Sequence, residues 1–295
     1  MKSITTTGLG DSILVPEQRG RFLAAMETRA PILAAARRIL MTSFQTNLDR
    51  FTYDGLLKPP QTEATEFTDT VDPTFATNTL TAVKVRGRTN ISDEAMQDNQ
   101  AKGNFRDELV DAMGRAAGVD LERLFVQGDT GSGDPYLALT DGWLVKSANA
   151  IDGGGTDFDA TDVEDMFEAM LRSLDERFVD VADRSRIRFW VNWTIENDYR
   201  EVLRERGTDL GDRAQTDNRP VPYKGFPVRS APSIPSGTAL LAHVDNMAYG
   251  IYQDIAVEAE RQPSYDRTAF HVRARGDANF EDENGAVVAT GYTGP

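Results

Sequence analysis

Apolar residues recur at helical spacing over two long stretches of the chain and alternate with polar ones over several short stretches, and this contrast sets the predicted elements. Residues 1–20 carry Gly8, Gly10, Pro16 and Gly20 and little periodicity, which predicts an extended arm. Over 21–51 the pattern is helical: Phe22, Ala25 and Met26 form one face, and Ile32, Leu33, Ala36, Ile39, Leu40 and Phe44 continue it. Pro31 predicts a break or restart, because proline suits a first turn and not a helix interior. A second helical stretch starts at Ser92 and Asp93, good capping residues, and runs to Gln127 through Phe105, Leu109, Met113, Ala116, Ala117, Leu121, Leu124 and Phe125. Unbroken, it would span about 50 Å at a rise of about 1.5 Å per residue. Gly103, Gly114 and Gly118 weaken it.

Between these stretches, 52–91 is rich in Thr and Val and reads as strand. Asp72-Pro73, with Asn78 nearby, is turn chemistry and predicts a long hairpin with arms 66–71 and 79–88. Few residues on either face are large and apolar, and such a hairpin is marginal alone in water. It needs a surface to lie on, which points to a neighbouring subunit.

The second half alternates elements of both kinds. A short apolar piece at 143–145 precedes the Gly- and Asp-rich loop 151–162. Thr161 or Asp162 caps a helix with Val163, Met166, Phe167, Met170, Leu171 and Leu174 on one face. A strand at 187–193 and a helix at 194–206 follow, then a polar stretch at 207–220. Short strands are expected at 227–229, 239–242, 256–259 and 269–275. The order is mixed α+β, without an internal repeat.

Composition narrows the function. The 295 residues are 40% hydrophobic and 27% charged, enough to build a core. A net charge of -15 argues against binding a nucleic-acid backbone by charge alone. Without cysteine there are no disulfides, thiol nucleophiles or thiolate metal sites. His243 and His271 are the only histidines, so a three-histidine metal site is impossible. No apolar run approaches a bilayer span and no signal peptide is legible, so a soluble protein without membrane contact is expected. Asp outnumbers Glu 30 to 17 and Arg outnumbers Lys 26 to 6. Adaptation to strong salt and a GC-rich genome explain that bias equally well.

No motif here specifies chemistry. The string GDTGSG at 128–133 closes a helix, where a nucleotide loop would open one, and reads as a turn. Asp152, Asp157, Asp159 and Asp162 lack the spacing of a calcium loop and read as a solvated helix start. His243 and His271 have no nucleophile context and read as structural. Lys84, Arg86 and Arg88 form a small basic patch on a strand, read as a salt-bridging interface edge in preference to a nucleic-acid contact. No catalytic, cofactor-binding or metal-ligating residue is expected.

The order of parts resembles the major capsid proteins of tailed double-stranded DNA viruses, of bacteria or archaea, which have the Hong Kong 97-like fold. The resemblance rests on GRTNISDEAMQDNQ at 87–100 as the junction from hairpin to spine helix, and on 105–129 as the end of that helix, where a string like FVQGDTGSG, here at 125–133, is common. YKGFPVRSAPSIPSGTALLAH at 223–243 and AFHVRARGDANFEDENGAVVATG at 269–291 add a turn-and-strand segment and the closing strands. Together these cover most of 50–292, and order and spacing carry more weight than any one string.

The resemblance implies an α+β capsid subunit. Its parts would be an N-terminal arm and helix at 1–51, an extended hairpin loop at 52–91, and a peripheral domain with the spine helix at 92–159. An axial domain would occupy 160–250, and 251–295 would return to the peripheral domain. It implies a non-enzymatic structural protein without cofactors that self-assembles into hexamers and pentamers, closing an icosahedral shell around double-stranded DNA without sequence-specific binding. A separate scaffolding protein, a portal and in some members a cement protein would be partners; assembly would occur in the host cytoplasm and the product would be the virion capsid. Glu66, Phe67, Val71, Phe75, Leu80, Val83, Lys84, Val85, Arg86 and Arg88 are the expected inter-subunit contacts. Lys84 is the only lysine between 60 and 90 and is not near the expected tip, so crosslinking is not expected. Two alternatives stand beside this one: an encapsulin-like nanocompartment shell protein, which shares the fold, and a soluble α+β enzyme using His243 or His271.

Overall fold

The computed structural model describes residues 29–53, 57, 70–95, 105–155, 157–179, 183–206, 220–252 and 256–295. The expected arm at 1–20, Glu66 and Phe67, and most of the polar stretch at 207–220 lie outside the described residues.

The first described helix, α1, is Pro31–Ala35, with proline in its first turn and Ile32 and Leu33 fully buried. The expected helix does not continue to residue 51. The chain extends instead as β1 (Arg37–Met41) and β2 (Gln45–Thr52). The reason is tertiary: β1 finds a parallel partner strand, pairing Arg37 with Ala248 through Met41 with Tyr252. Leu40 and Phe44, assigned to a helical apolar face, are 74% and 55% exposed, whereas Met41 and Leu48 are buried.

Strand β3 is Thr74–Thr81 and β4 is Val83–Ser92. After a helical turn at 93–95, where the Ser92 hydroxyl accepts a hydrogen bond from the Ala95 amide at 3.3 Å, comes α2 (Phe105–Gln127). Next are α3 (Trp143–Lys146), β5 (Asn149–Asp152), α4 (Val163–Ser173), β6 (Ile187–Val191) and α5 (Trp193–Glu205). The chain ends with β7 (Pro222–Tyr223), β8 (Phe226–Ser230), β9 (Ala239–His243), β10 (Met247–Tyr252), β11 (Ala256–Gln262), β12 (Arg267–Phe280) and β13 (Ala286–Thr290). The helix face and short strands expected from the second half of the sequence are present, and β13 falls in the closing strands the resemblance implied; β5, β7 and β10 were not expected.

Two large sheets organise most of these elements, and β2 and β3 form a separate two-stranded ribbon. In the first, β10 and β11 run antiparallel along one side of the long β12, β1 lies outside β10, and β4 pairs antiparallel with the other side of β12. The turn at Pro263–Tyr265 closes this long hairpin, with Asp266 in the left-handed region at φ 45°. Helix α2 lies on one face of this sheet. Its Leu121, Leu124, Phe125 and Val126 are buried in a core shared with Phe270, Ala274 and Phe280.

The second sheet has the order β5-β13-β9-β6-β8-β7. Its central strands are apolar on both faces, as strands covered on both sides must be. Trp190, Leu240 and Val288 join the core under α2, while Phe189, Leu241 and Val287 join a second core under α4 and α5. Asp162 caps α4 by accepting from the Glu164 amide at 2.8 Å, and Val163, Met166, Phe167 and Met170 form its buried stripe. Sharing β6, β9 and β13 between the two cores joins both halves of the molecule.

A buried carboxylate fastens the start of the described chain. Glu122, near the C-terminal end of α2 and 2% exposed, accepts from the Ile32 and Leu33 amides at 2.9 and 3.1 Å and from the Ser233 hydroxyl at 2.7 Å. These amides belong to the first turn of α1 and have no intrahelical acceptor. Burial pushes the Glu122 carboxyl above its ordinary range, and the three donors pull it part of the way back.

Candidate assembly interface

The hairpin is made of β2 and β3, paired antiparallel from Gln45 with Thr81 to Phe51 with Phe75 and Thr52 with Thr74. Its arms therefore differ from those expected. The first arm is 45–52, which the sequence reading gave to a helix, and the second is 74–81. Residues 83–88, expected as part of the second arm, belong to β4 on the first sheet.

Directly opposite residues in such a pair share a face. On the inner face Leu48 and Leu80 are buried with Met41, Ala82 and Ala248, and this small core roots the hairpin. The outer face near the root is polar: the Thr77 hydroxyl donates to Asp49 at 2.8 Å and the Thr79 hydroxyl to Asn47 at 3.3 Å. Further out the same face carries Phe51 and Phe75, 65% and 74% exposed, with Tyr53 half exposed beyond them.

Side chains, more than a backbone ladder, hold β3 to β12. Asn78 donates to the Phe280 carbonyl at 2.9 Å, Asn279 to the Thr79 carbonyl at 3.2 Å, and the Thr81 amide to Asp277 at 2.8 Å. Asp277 also accepts from Thr140 and Lys146, tying in the segment after α2. On the inner face Arg50 pairs with Asp282, which also accepts from Arg177 at 3.1 Å and from the Asn284 amide. Asp282 is 4% exposed, so the hairpin's direction is fixed by a buried carboxylate facing two arginines.

The face of the first sheet turned away from α2 is basic. Register places Lys84 opposite Arg275, Arg86 opposite Arg273 and Arg88 opposite His271. Along β4, Val83, Val85 and Ile91 pack toward α2, and Lys84, Arg86 and Arg88 are exposed. Strand β11 supplies some countercharge. Arg273 pairs with Glu258, the His271 Nε2 lies 3.5 Å from Glu260, and Arg88 donates to Gln262 at 3.2 Å. Lys84, Arg86 and Arg275 have no ion pair among the described residues, although the Arg275 guanidinium lies 5.7 Å from the Tyr252 ring centre. The neighbouring Arg86 guanidinium is the main cause that depresses the Lys84 ammonium below its usual range; desolvation, Arg275 and Arg273 add to it. Like charges directly opposite across a ladder are unfavourable.

The expected contact residues therefore divide. Phe75, Lys84, Arg86 and Arg88 are exposed and sit on two surfaces, the hairpin end and the basic face. Leu80 is fully buried in the chain's own core, and Val83 and Val85 pack under α2, so these three are corrected to intrachain roles. Val71 is half-buried outside any strand. Phe51, Arg273, Arg275 and Asp282 were missed. For the arginines the signal was the alternation in 270–276, but the strand opposite them is not readable without the fold.

No other site emerges among the described residues. The segment 128–133 is a turn, with Gly131 donating to Asp129 at 2.8 Å and Thr130 to Asp141 at 2.8 Å, so these amides do not await a phosphate. Asp152, Asp157, Asp159 and Asp162 bond backbone amides or a nearby hydroxyl, and no group of three metal-ligating side chains occurs among the described residues. His243 and His271 lie on different sheets.

The phage capsid family model matches residues 10–291. The chain belongs to the phage capsid family. This capsid protein is 24% identical over 287 residues to the prophage capsid protein YqbE of Bacillus subtilis (strain 168), covering 92% of this chain and 90% of that protein. Its fold is similar to that in the satellite phage P4 procapsid that includes the size determination (Sid) protein. That match has a TM-score of 0.72 and 14% identity, over 98% of this chain and 95% of the other. A second likeness is to the capsid of an empty GTA particle, with a TM-score of 0.62 and 14% identity over 90% and 91% of the two chains. The α+β fold is therefore the Hong Kong 97-like capsid fold, and the protein is a structural, non-enzymatic major capsid protein of the phage capsid. The nanocompartment and enzyme alternatives are not favoured.

Proposed function

We propose that the capsid protein assembles as hexamers and pentamers closing an icosahedral shell around double-stranded DNA, and that each hairpin is completed by a neighbouring copy. The observation that carries this is the hairpin's outer end, where Phe51 and Phe75 hold two aromatic rings in water on a two-stranded ribbon. Such a ribbon gains little alone, and an apolar pair at its end gains from burial against another surface.

In this reading β2 and β3 are the extended loop, α2 is the spine helix, and the sheet under it is the peripheral domain. The sheet under α4 and α5 is the axial domain. Assembly takes place in the host cytoplasm, guided by a separate scaffolding protein and started at a portal, with or without a cement protein on the finished shell. The negative net charge suits a container that must not hold tightly to the DNA sliding into it.

The test is expression of the chain, alone and with its scaffolding protein, followed by size exclusion and electron microscopy at low and high salt. Closed shells or free rings of five and six are expected. A monomer under every condition, with a hairpin already protected from protease, would contradict the proposal.

A further inference from the structure

Asn284 is the only asparagine of the chain that is followed by glycine. Glycine has no side chain to shield its backbone nitrogen, so that nitrogen can reach the asparagine carboxamide, the route by which such pairs lose ammonia. The pair lies in the single turn Glu283–Gly285 that joins β12 to β13, with Asn284 exposed and Gly285 buried. Packing dictates the glycine. A Cβ at residue 285 would sit 2.7 Å from the Asn246 Nδ2 and 2.9 Å from the Phe178 ring. The fold therefore places an unshielded neighbour after an exposed asparagine.

The same turn restrains each group that would react. The Asp282 Oδ1 accepts from the Asn284 amide and from its Nδ2, both at 3.1 Å, and the Gly285 amide donates to the Asp282 carbonyl at 3.0 Å. From β5, the Asn149 Nδ2 donates to the Asn284 carbonyl at 3.0 Å. Asp282 is itself fixed, by Arg50, by Arg177 and by its own amide donating to the Asn246 side chain at 2.8 Å. Closing a succinimide ring requires rotation about the Asn284 torsions, which breaks these bonds. It also requires the buried Gly285 amide to give up its proton to solvent. Breaking bonds to buried partners is costly, so the closed turn is the unreactive one.

We infer that Asn284 is a deamidation site, and that the Asp282 turn keeps it closed in the folded chain. In the opened turn the Gly285 nitrogen bonds to the Asn284 Cγ, the Cγ–Nδ2 bond breaks, and ammonia leaves carrying the proton of the Gly285 amide. Water then opens the succinimide at either carbonyl and leaves aspartate or isoaspartate. Both products replace a donor to Asp282 with a second carboxylate, and like charges that close disfavour each other. The group that holds Arg50, and with it the hairpin, is the one disturbed. Isoaspartate also adds one carbon to the backbone just before β13, whose Val287 and Val288 belong to the two different cores.

The experiment uses the full chain. Native wild type and wild type unfolded in urea are incubated side by side at mildly alkaline pH. Peptide mapping by mass spectrometry follows deamidation at every asparagine, and isoaspartyl methyltransferase labelling follows isoaspartate. The unfolded chain is expected to convert at Asn284 ahead of every other position. The native chain should convert there at least about tenfold more slowly, because reaction waits for the turn to open. Asp282→Ala should raise the native rate about tenfold, the effect of losing two ordinary hydrogen bonds. Asn149→Ala, which loosens only the Asn284 carbonyl, should raise it about threefold, and it carries the test if circular dichroism finds Asp282→Ala unfolded. Asn284→Ser should abolish the signal.

A native rate equal to the unfolded rate overturns the protection. So does a folded Asp282→Ala, or failing that Asn149→Ala, that converts no faster than wild type. An unfolded chain modified first elsewhere, at Asp152–Gly153 for instance, overturns the site itself.

Discussion

Phe51 lies directly opposite Phe75 across the β2–β3 pair, and both rings face water while Leu48 and Leu80, on the other face nearer the root, are buried. A pair that stabilises the single chain would be covered by it. Replacing both with Ser is therefore expected to shift the unfolding free energy of the isolated chain by less than about 0.5 kcal/mol, the usual range for exposed sites. The same double variant should fail to form rings or shells. Chemical denaturation and sedimentation of one preparation check both halves.

Asp282 is expected to govern the hairpin's direction. Asp282→Ala leaves Arg50 and Arg177 without their shared carboxylate and strips the acceptor from the Asn284 amide. Removing one partner of a buried ion pair costs about 3–5 kcal/mol. Amide hydrogen exchange should show the loss first in β2 and β3, before the sheet under α4 and α5 responds.

Glu122 makes stability depend on pH in a defined direction. Its carboxyl titrates above its ordinary value of 4.5 because burial disfavours the charged form. The folded state therefore holds the proton more tightly than the unfolded chain. This contribution is complete below 4.5 and is lost as pH rises through the folded value. Glu122→Gln keeps an oxygen for the Ile32 and Leu33 amides, loses the second oxygen that accepts from Ser233, and should lie within about 1 kcal/mol of wild type at neutral pH. The wild type should gain on it as pH falls. Glu122→Ala leaves two buried amides unpaired and should cost about 2–4 kcal/mol, most at low pH. Urea denaturation of the three chains across pH 4 to 7 measures all of this.

Gly128 and Gly142 pass back to back where α2 ends, with the Gly142 amide donating to the Gly128 carbonyl at 2.8 Å. A methyl on Gly128 would sit 2.2 Å from the Thr140 carbonyl oxygen. Gly128→Ala is therefore expected to cost more than about 3 kcal/mol, in the range of severe overpacking. Gly133→Ala, which meets nothing within 4 Å, should leave the melting temperature unchanged.

Much of the fold was legible where one physical signal dominated. The stripe of Val163, Met166, Phe167 and Met170 with its Asp162 cap specifies α4 locally, and the apolar runs of β6 and β9 mark strands covered on both faces. The segment 37–52 was not legible, because its apolar residues fit a helical period and only the partners Ala248–Tyr252 and 74–81 make it strand. The candidate interface was half legible for the same reason. Lys84, Arg86 and Arg88 stand out on one strand, but their opposition to Arg273 and Arg275 depends on pairing across more than 180 residues. Leu80 looked like a contact because nothing in the sequence shows that Met41 and Ala248 cover it.

The most direct test of the account is a cryo-electron-microscopy reconstruction of the assembled particle. The account predicts rings of five and six in a closed icosahedral shell, each with Phe51 and Phe75 of one copy buried against its neighbour. A particle without such rings, or with both phenylalanines facing solvent in every copy, would contradict it.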